Sequence, residues 1–172
     1  SDVCSSDLCL VKETPMGPSA FYFPPTVDGT RPGTFFVNTA DPTRWGRFEI
    51  ESMAFHEGIP GHHLQFAISQ ELEDVPQFRK MALITVYAEG WGLYSERLAD
   101  EMGLFSGPME RIGMLSNDSL RAGRLVVDTG IHARGWTRQQ AIDYFLENSP
   151  MTRSTIEGEV DRYVMRSEEH TS

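Results

Sequence analysis

Cysteine is scarce in this sequence, and its scarcity limits the sites that the chain can build. Two of the 172 residues are cysteines, Cys4 and Cys9, and Cys4 falls in a terminal segment that we exclude below. The one remaining thiol cannot form a disulfide within the chain or supply a cysteine-based zinc site. Any metal site must therefore use histidine and carboxylate ligands.

Basic residues are outnumbered, and no long apolar run is present. The sequence has 15 Lys and Arg against 25 Asp and Glu, a formal net charge of −10, and an isoelectric point near 4.9. This balance argues against a nucleic-acid partner or an anionic membrane surface, because no basic cluster is available to neutralise phosphates. The longest apolar stretch, Met81 to Val86, is far shorter than the roughly 20 residues of a membrane-spanning helix. A hydrophobic content of 40% predicts a soluble globular domain, cytoplasmic, periplasmic or secreted.

The two ends of the chain are related through their codons. RSEEHTS, residues 166–172, can be encoded by AGA TCG GAA GAG CAC ACG TCT. The reverse complement of these roughly 21 nucleotides encodes DVCSSDL, residues 2–8, in a shifted frame. We therefore expect residues 1–8 and 166–172 to be translated sequencing-adaptor sequence, which also removes His170 from consideration. The natural fragment is then residues 9–165, and the lack of a signal peptide says nothing about the parent protein.

The pattern of apolar and turn-forming residues predicts a mainly helical fold with a short β edge near the N-terminus. The segment from Cys9 to Arg47 is rich in Pro, Gly and aromatic residues, and Thr34–Asn38 is its best strand candidate. Gly135 is expected to end a helix just before it. The predicted helices are Glu49–Glu57, Leu64–Leu72, Gln77–Met102, Pro108 to about His132, Thr137 to about Asn148, and a last one that begins at a capping box of Ser154 and Glu157.

The strongest chemical signal is a concentration of histidines in the segment HEGIPGHH. Zincin metallopeptidases bind zinc through two histidines at positions i and i+4 of one helix, in the motif HExxH, and the glutamate after the first histidine is the general base. Here His62 and His63 follow His56 by six and seven residues, so no unbroken helix brings either pair to one metal. Pro60 and Gly61 resolve the conflict by looping two residues out, which places His62 at the second zincin position. Spacing alone leaves His63 as an alternative, and three surface histidines at a helix break are the non-functional interpretation.

A third ligand is expected from a carboxylate on a following helix. Glu89 and Glu96 lie seven residues apart on one face of the predicted Gln77–Met102 helix. Gly90 and Gly92 beside them allow another helix to approach closely. Glu89 is favoured because it follows His62 by 27 residues, enough for the rest of one helix, a turn and the first half of the next. It also stands in an apolar run, where a buried carboxylate without a partner is costly. Glu96 is the second candidate, with a solvated or ion-paired role as its alternative.

These motifs resemble a known family. The segments HEGIPGHHLQ, VYAEGWGLYSE and VVDTGIHARGWTRQQAIDYF, in this order, resemble the bacterial domain-of-unknown-function 885 family over nearly all of residues 9–165. The resemblance implies a partial catalytic domain of a zinc metallopeptidase of the Glu-zincin kind, related in fold to the helical carboxypeptidase Taq group. It implies His56 and His62 as ligands, with His63 beside them, and a parent chain that is longer at both ends. The AEGW segment is similar to the NEGF segment that supplies the glutamate ligand in aminopeptidase N relatives, which supports Glu89.

The predicted chemistry is hydrolysis of a peptide or peptide-like amide by one zinc ion. With the metal held by His56, His62 and Glu89, water becomes more acidic, and Glu57 accepts its proton as the hydroxide attacks the carbonyl. His132 is the remaining histidine that can donate to the developing oxyanion. Its alternative role is that of an ordinary histidine at a helix end.

Residues that contact the substrate are less specifically indicated. Tyr87 is a further candidate donor, with a packing role as its alternative. A substrate carboxylate, as a carboxypeptidase or dipeptidase requires, would be held by an arginine, and the alternative role of each arginine is a surface ion pair. The candidates are Arg121, Arg124, Arg134 and Arg162. The strand candidate Thr34–Asn38 is expected either to pair with an extended peptide by strand addition or to be an ordinary edge strand.

Two other classes of protein fit the same residues. A noncatalytic metal-binding domain has no need of an ionised base beside its first ligand, so Glu57 argues against it. A non-haem iron protein uses two histidines and one carboxylate as a facial triad, which metal analysis distinguishes from zinc. The identity of the substrate, the exo or endo mode of cleavage and the oligomeric state stay open.

Overall fold

The computed structural model describes residues 6–11, 20–26, 28–40, 46–81 and 84–165. Within these residues the chain is mainly helical, with a small sheet near the N-terminus, which confirms the predicted fold class. The strands are β1 (Ser6–Val11), β2 (Ala20–Phe23) and β3 (Gly33–Asn38). The helices are α1 (Ile50–Glu57), α2 (His62–Glu71), α3 (Gln77–Met81), α4 (Thr85–Glu101), α5 (Pro108–Arg134), α6 (Arg138–Asn148) and α7 (Arg153–Met165).

The chain divides into two compact units, Ser1–Gly113 and Met114–Ser172. None of the helices described above combines the length and the apolar character that a membrane crossing requires. Of the segments that we expect to be adaptor sequence, residues 1–5 and 166–172 lie outside the described residues.

β3 is the central strand of the sheet in the first unit. β1 pairs with it in parallel, and β2 pairs with its other side antiparallel, with Phe23 opposite Thr34. The predicted strand is therefore confirmed, but both roles expected for it are wrong, because a described strand occupies each of its edges. β1 begins at Ser6, inside the first expected adaptor segment, and the adaptor origin of that segment stays a prediction.

Both helices of the histidine segment form, and a turn separates them. α1 begins at Ile50 after a single 3-10 turn, Arg47–Glu49. At this turn the Glu49 carboxylate accepts a hydrogen bond from the Gly46 N–H at 3.0 Å. α2 begins at His62, two residues before the predicted start. The sequence analysis predicted that two residues loop out between His56 and His62. In the structure, residues 58–61 form a turn that joins two separate helices.

The predicted Gln77–Met102 helix is wrong as a single element. It is two helices, α3 and α4, and Ile84 before α4 has an extended backbone with φ of −83° and ψ of 108°. Ile84, Thr85 and Val86 are consecutive β-branched residues, and their restricted side-chain rotamers lower helix propensity. As a separate helix, α4 packs against α1 and α2, and this packing positions the candidate site.

In the second unit, capping residues set the start of α6 and the end of α5. The Thr137 hydroxyl accepts a hydrogen bond from the Gln140 N–H at 3.3 Å, and the Gln140 side chain accepts one from the Thr137 N–H at 2.8 Å. This confirms the predicted capping box. Gly135 follows α5 with φ of +67°, as expected for a residue that ends a helix in the left-handed conformation.

The capping box predicted at Ser154 is wrong. α7 begins at Arg153, and the hydroxyl of Thr152 accepts a hydrogen bond from the Thr155 N–H at 3.3 Å. Thr152 therefore occupies the capping position, two residues before the predicted one. Both residues carry a hydroxyl that can cap a helix, so the local sequence does not distinguish them.

The core of the second unit is formed by apolar side chains of α5, α6 and α7. The fully buried members are Val127 of α5, Ala141, Ile142 and Phe145 of α6, and Ile156, Val160 and Tyr163 of α7. In α6 and α7 these positions recur every three or four residues, which is the spacing that places side chains on one face of a helix.

A charged network adjoins this core. The Glu159 carboxylate accepts hydrogen bonds from Arg124 at 2.8 Å, from Arg162 at 2.7 Å and from the Tyr163 hydroxyl. Burial acts to raise the pKa of Glu159, but the two guanidinium groups outweigh burial and lower the pKa to about 2. Burial raises the pKa of Tyr163, so its hydroxyl stays protonated and can donate.

Acid should therefore weaken the second unit through Glu159. The pKa of Glu159 lies below its ordinary value of 4.5 in the folded chain, so its ion pairs stabilise the fold above about pH 5 and are lost as the pH falls toward 2. We expect the free energy of unfolding to fall by about 3 kcal/mol over this interval. Glu159→Gln should remove this dependence, whereas Glu157→Gln, at a more exposed carboxylate of the same helix, should retain it. Equal acid sensitivity of the two variants in urea unfolding would contradict this account.

Candidate metal centre

His56, His62 and Glu89 converge from three helices, α1, α2 and α4. One ligand atom from each side chain lies within 4.8 Å of the other two. The Glu89 oxygens are 3.5 Å from His56 Nε2 and 3.9 Å from His62 Nε2. The two imidazole rings meet edge to face, with centroids 4.8 Å apart. The structure thus brings together the three side chains that the sequence analysis selected as metal ligands.

Glu96 contacts the side of His56 that faces away from Glu89. The Nδ1–H of His56 donates to Glu96 Oε1 at 2.7 Å, and the other carboxylate oxygen accepts a hydrogen bond from the Ser52 hydroxyl. Because a carboxylate accepts hydrogen bonds, this contact favours the tautomer of His56 that has its proton on Nδ1 and its lone pair on Nε2. Glu96 is 1% exposed, so the solvated role considered for it is wrong.

Gln65 contacts Nδ1 of His62, as Glu96 contacts Nδ1 of His56. Its side-chain N–H donates to the backbone carbonyl of Tyr87 at 3.1 Å, so the amide oxygen is the atom that faces His62. That oxygen lies 3.3 Å from His62 Nδ1, where it accepts a hydrogen bond from the Nδ1–H. This contact favours the tautomer of His62 whose lone pair is on Nε2, the nitrogen that lies 3.9 Å from Glu89.

Close packing in the turn between α1 and α2 allows His62 to approach His56. A Cβ atom on Gly61 would lie 1.9 Å from the His56 carbonyl oxygen, so this position accepts only glycine. The indole N–H of Trp91 donates to the carbonyl oxygens of Pro60 at 2.9 Å and of Gly61 at 3.2 Å. The turn is thereby attached to α4, the helix that carries Glu89.

Gly92 allows α4 to approach the His56 ring. A Cβ atom at this position would lie 2.5 Å from His56 Cε1 and 2.6 Å from Nε2, well inside van der Waals contact. The predicted close approach is confirmed at Gly92. It is wrong at Gly90, where an added Cβ would have no neighbour within 4 Å.

His63 has a different partner. Its Nδ1 lies 2.8 Å from the hydroxyl of Tyr22 in β2, and the two rings meet edge to face at 5.5 Å. Burial raises the pKa of Tyr22 to about 12, so its hydroxyl stays protonated at neutral pH. Among the residues that the structure describes, His63 is outside the group of mutually close ligand atoms. Its role beside a metal ligand, which the family resemblance implies, stays a prediction.

The donor set fits a zinc ion. Two imidazole nitrogens and one carboxylate oxygen form a known catalytic zinc site, and tetrahedral bonds of 2.0–2.2 Å place neighbouring donors about 3.3–3.6 Å apart. The distances of 3.5 Å from Glu89 Oε2 to His56 Nε2 and of 3.9 Å from Glu89 Oε1 to His62 Nε2 are close to this spacing. The Glu89 side chain is 42% exposed, against 5% for His56 and 8% for His62. The carboxylate side of the group is therefore accessible to water.

Other predicted site residues lie at defined places, and their roles stay predictions. Glu57 is half-buried and ends α1 directly after His56. The Tyr87 side chain is exposed. His132 belongs to the second unit, where its Nε2–H donates to the Tyr163 carbonyl at 3.0 Å.

The candidate arginines for a substrate carboxylate all belong to the second unit. Arg124 and Arg162 both contact Glu159, as described above. Arg121 is half-buried in α5, and Arg134 is the exposed last residue of that helix. Binding of a substrate by these arginines stays a prediction.

Sequence reasoning missed four residues that support the site: Gln65, which contacts His62, Ser52, which contacts Glu96, Tyr22, which contacts His63, and Trp91, which contacts the turn between α1 and α2. Ser52 precedes His56 by four residues in α1, and Gln65 follows His62 by three in α2, so each shares a helix face with its histidine. A search for polar residues at these spacings would have found both. No local spacing indicates Tyr22 or Trp91, because their contacts join segments that are distant in sequence.

Comparison with known proteins places the chain in a family. A solved structure described as "the putative lipoprotein from Colwellia psychrerythraea" is 36% identical, with a TM-score of 0.85. The match covers 92% of this chain and 28% of that chain, so this chain spans just over a quarter of its structural relative. No curated protein matches significantly. The family described as bacterial protein of unknown function (DUF885) matches residues 10–168, and the chain therefore belongs to this family, as its motifs predicted.

Proposed function

We propose that this chain carries the metal site of a zinc-dependent hydrolase that cleaves peptide or peptide-like amide bonds. The observation that supports this most directly is the convergence of His56, His62 and Glu89, with Glu57 directly after the first histidine. These are the residue types of a zincin site. Here they converge through a turn between two helices instead of one continuous helix.

The residues divide into metal ligands and a base. His56, His62 and Glu89 would hold the ion. A bound zinc ion supplies a Lewis acid that makes water more acidic and polarises the amide carbonyl. Glu57 accepts the proton of the attacking water and returns it to the departing amine, so that one carboxylate is base and then acid.

Several features favour a catalytic site over a structural one. Structural zinc sites have four protein ligands, whereas catalytic sites have three and keep one position for water or substrate. Within the described part of the chain, the group consists of three donors, and the half-buried Glu89 carboxylate gives solvent access to it. A carboxylate next to the first ligand, Glu57, has no purpose in a purely structural site.

Peptide hydrolysis should therefore require the metal. In the natural protein that carries this sequence, a zinc chelator should abolish cleavage of a peptide library, and one equivalent of zinc should restore it. Mass-spectrometric product analysis then gives the substrate class and distinguishes exo from endo cleavage. Undiminished cleavage by metal-free protein would contradict the proposal, and restoration by ferrous iron but not zinc would contradict the assignment of the metal.

A further inference from the structure

We propose that Ser52 and Gln65 are positioning residues of the metal centre, which present the Nε2 atoms of His56 and His62 to one ion. Ser52 acts through Glu96, and Gln65 acts on His62 directly. This inference rests on the proposed function, because it assumes that the two histidines are zinc ligands. It adds two residues to which the sequence analysis assigned no role.

The contacts of His56 form a chain of three buried groups. Ser52 is 0% exposed and Glu96 is 1% exposed. The Ser52 hydroxyl donates to one oxygen of Glu96, and the other oxygen accepts from His56 Nδ1–H. Since both ends of the carboxylate are bonded, it cannot rotate without breaking one of these bonds. Ser52 thus fixes Glu96, and Glu96 fixes the orientation and the tautomer of the imidazole.

The contacts of His62 use a neutral amide. Gln65 is 6% exposed and lies on the same face of α2 as His62. Its N–H donates to the carbonyl of Tyr87, and its oxygen faces His62 Nδ1. Tyr87 precedes Glu89 by two residues in α4. Gln65 therefore links one proposed ligand to the backbone next to another.

The two arrangements have the same consequence for the metal. A neutral histidine in water favours the tautomer that has its proton on Nε2, and this tautomer cannot bind a metal through Nε2. Acceptors at both Nδ1 atoms favour the opposite tautomer, so the ligand lone pairs are already in place before the metal arrives. Loss of such contacts typically weakens metal binding by about 10–100-fold.

The test compares zinc affinity in matched pairs of variants of this chain. Ser52→Ala is paired with Ser95→Ala, because both serines are 0% exposed and the Ser95 hydroxyl donates to backbone carbonyls of Gly92 and Phe55. Gln65→Leu is paired with Gln70→Leu, because Gln70 is on the same helix and donates to the Pro25 carbonyl. Competition with a chelating dye gives the affinity, and circular dichroism confirms that each variant is folded.

We expect Ser52→Ala and Gln65→Leu to bind zinc about 10–100-fold more weakly, and both controls to bind it within roughly threefold of the unmodified chain. Gln65→Glu keeps an oxygen acceptor for His62 Nδ1 but loses the donor to the Tyr87 carbonyl, so it should regain part of the affinity. Nitrogen-15 NMR of the metal-free histidines should show the proton on Nδ1 in the unmodified chain and a shift toward Nε2 in the two test variants.

Two results overturn the inference. They differ in whether the proposed metal site fails as well. If the unmodified chain binds zinc and the test variants bind it as tightly as their controls, the positioning role is wrong and the metal site stands. If the unmodified, folded chain does not bind zinc, the metal site of the proposed function is wrong, and the inference fails with it.

Discussion

Glu57→Gln is expected to remove peptide hydrolysis while leaving zinc in place. The substitution keeps the size of the side chain but removes the carboxylate that accepts and returns the proton in the proposed reaction. A general base of this kind typically accelerates a reaction by about 10²–10⁴-fold, so the expected loss in kcat is of that order. Zinc content should be unchanged, because Glu57 is outside the group of three ligand atoms among the described residues.

Glu51→Gln is the matched control for this experiment. Glu51 lies six residues earlier in α1, and its carboxylate accepts a hydrogen bond from the Ser106 N–H at 2.9 Å. The same chemical change there should leave kcat within roughly threefold of the unmodified protein. Both variants are measured in the natural protein that carries this sequence. Full hydrolysis by zinc-loaded Glu57→Gln would exclude Glu57 as the base.

Gly92→Ala should remove most of the zinc affinity through a single methyl group. The added Cβ would lie 2.5 Å from His56 Cε1 and 2.6 Å from Nε2, so either the ring must move by about 1 Å or α4 must move away from α1. Both movements separate His56 from Glu89, which is on α4. Because displacement of a ligand is more severe than loss of its supporting contact, we expect zinc binding to weaken by at least about 100-fold.

Gly90→Ala provides the control on the same helix. An added Cβ there meets no atom within 4 Å, and alanine has a higher helix propensity than glycine by roughly 0.5–1 kcal/mol. This variant should bind zinc as the unmodified chain does and unfold at a slightly higher urea concentration. If both variants fold and bind zinc with equal affinity, the close contact between α4 and the His56 ring does not control zinc binding.

Local signals in the sequence were enough to predict most of the helices. The Thr137 capping box and Gly135 act over three or four residues, so their effect on α5 and α6 does not depend on distant contacts. The break before α4 was missed because apolar periodicity continues through Ile84, while the β-branched run there opposes a helix. The central position of β3 depends on pairing with two other strands, which no local pattern specifies.

The candidate site was predictable to the extent that its residues are chemically unusual. Three histidines in eight residues, and a glutamate in an apolar run, are rare enough to indicate metal ligands by residue type. Serine, glutamine and tyrosine are common in every kind of position, so Ser52, Gln65 and Tyr22 gave no signal of their own. The structure favours His62 over His63 as the ligand, because His63 contacts Tyr22 whereas His62 faces Glu89.

The central claim is tested most directly by the zinc content of this chain and of two variants, His62→Ala and His63→Ala. Inductively coupled plasma mass spectrometry on purified, folded protein gives the metal-to-chain ratio. The account predicts about one zinc per chain in the unmodified protein and in His63→Ala, and almost none in His62→Ala. Loss of zinc with His63→Ala but not with His62→Ala, or the absence of zinc from the unmodified chain after reconstitution, would contradict it.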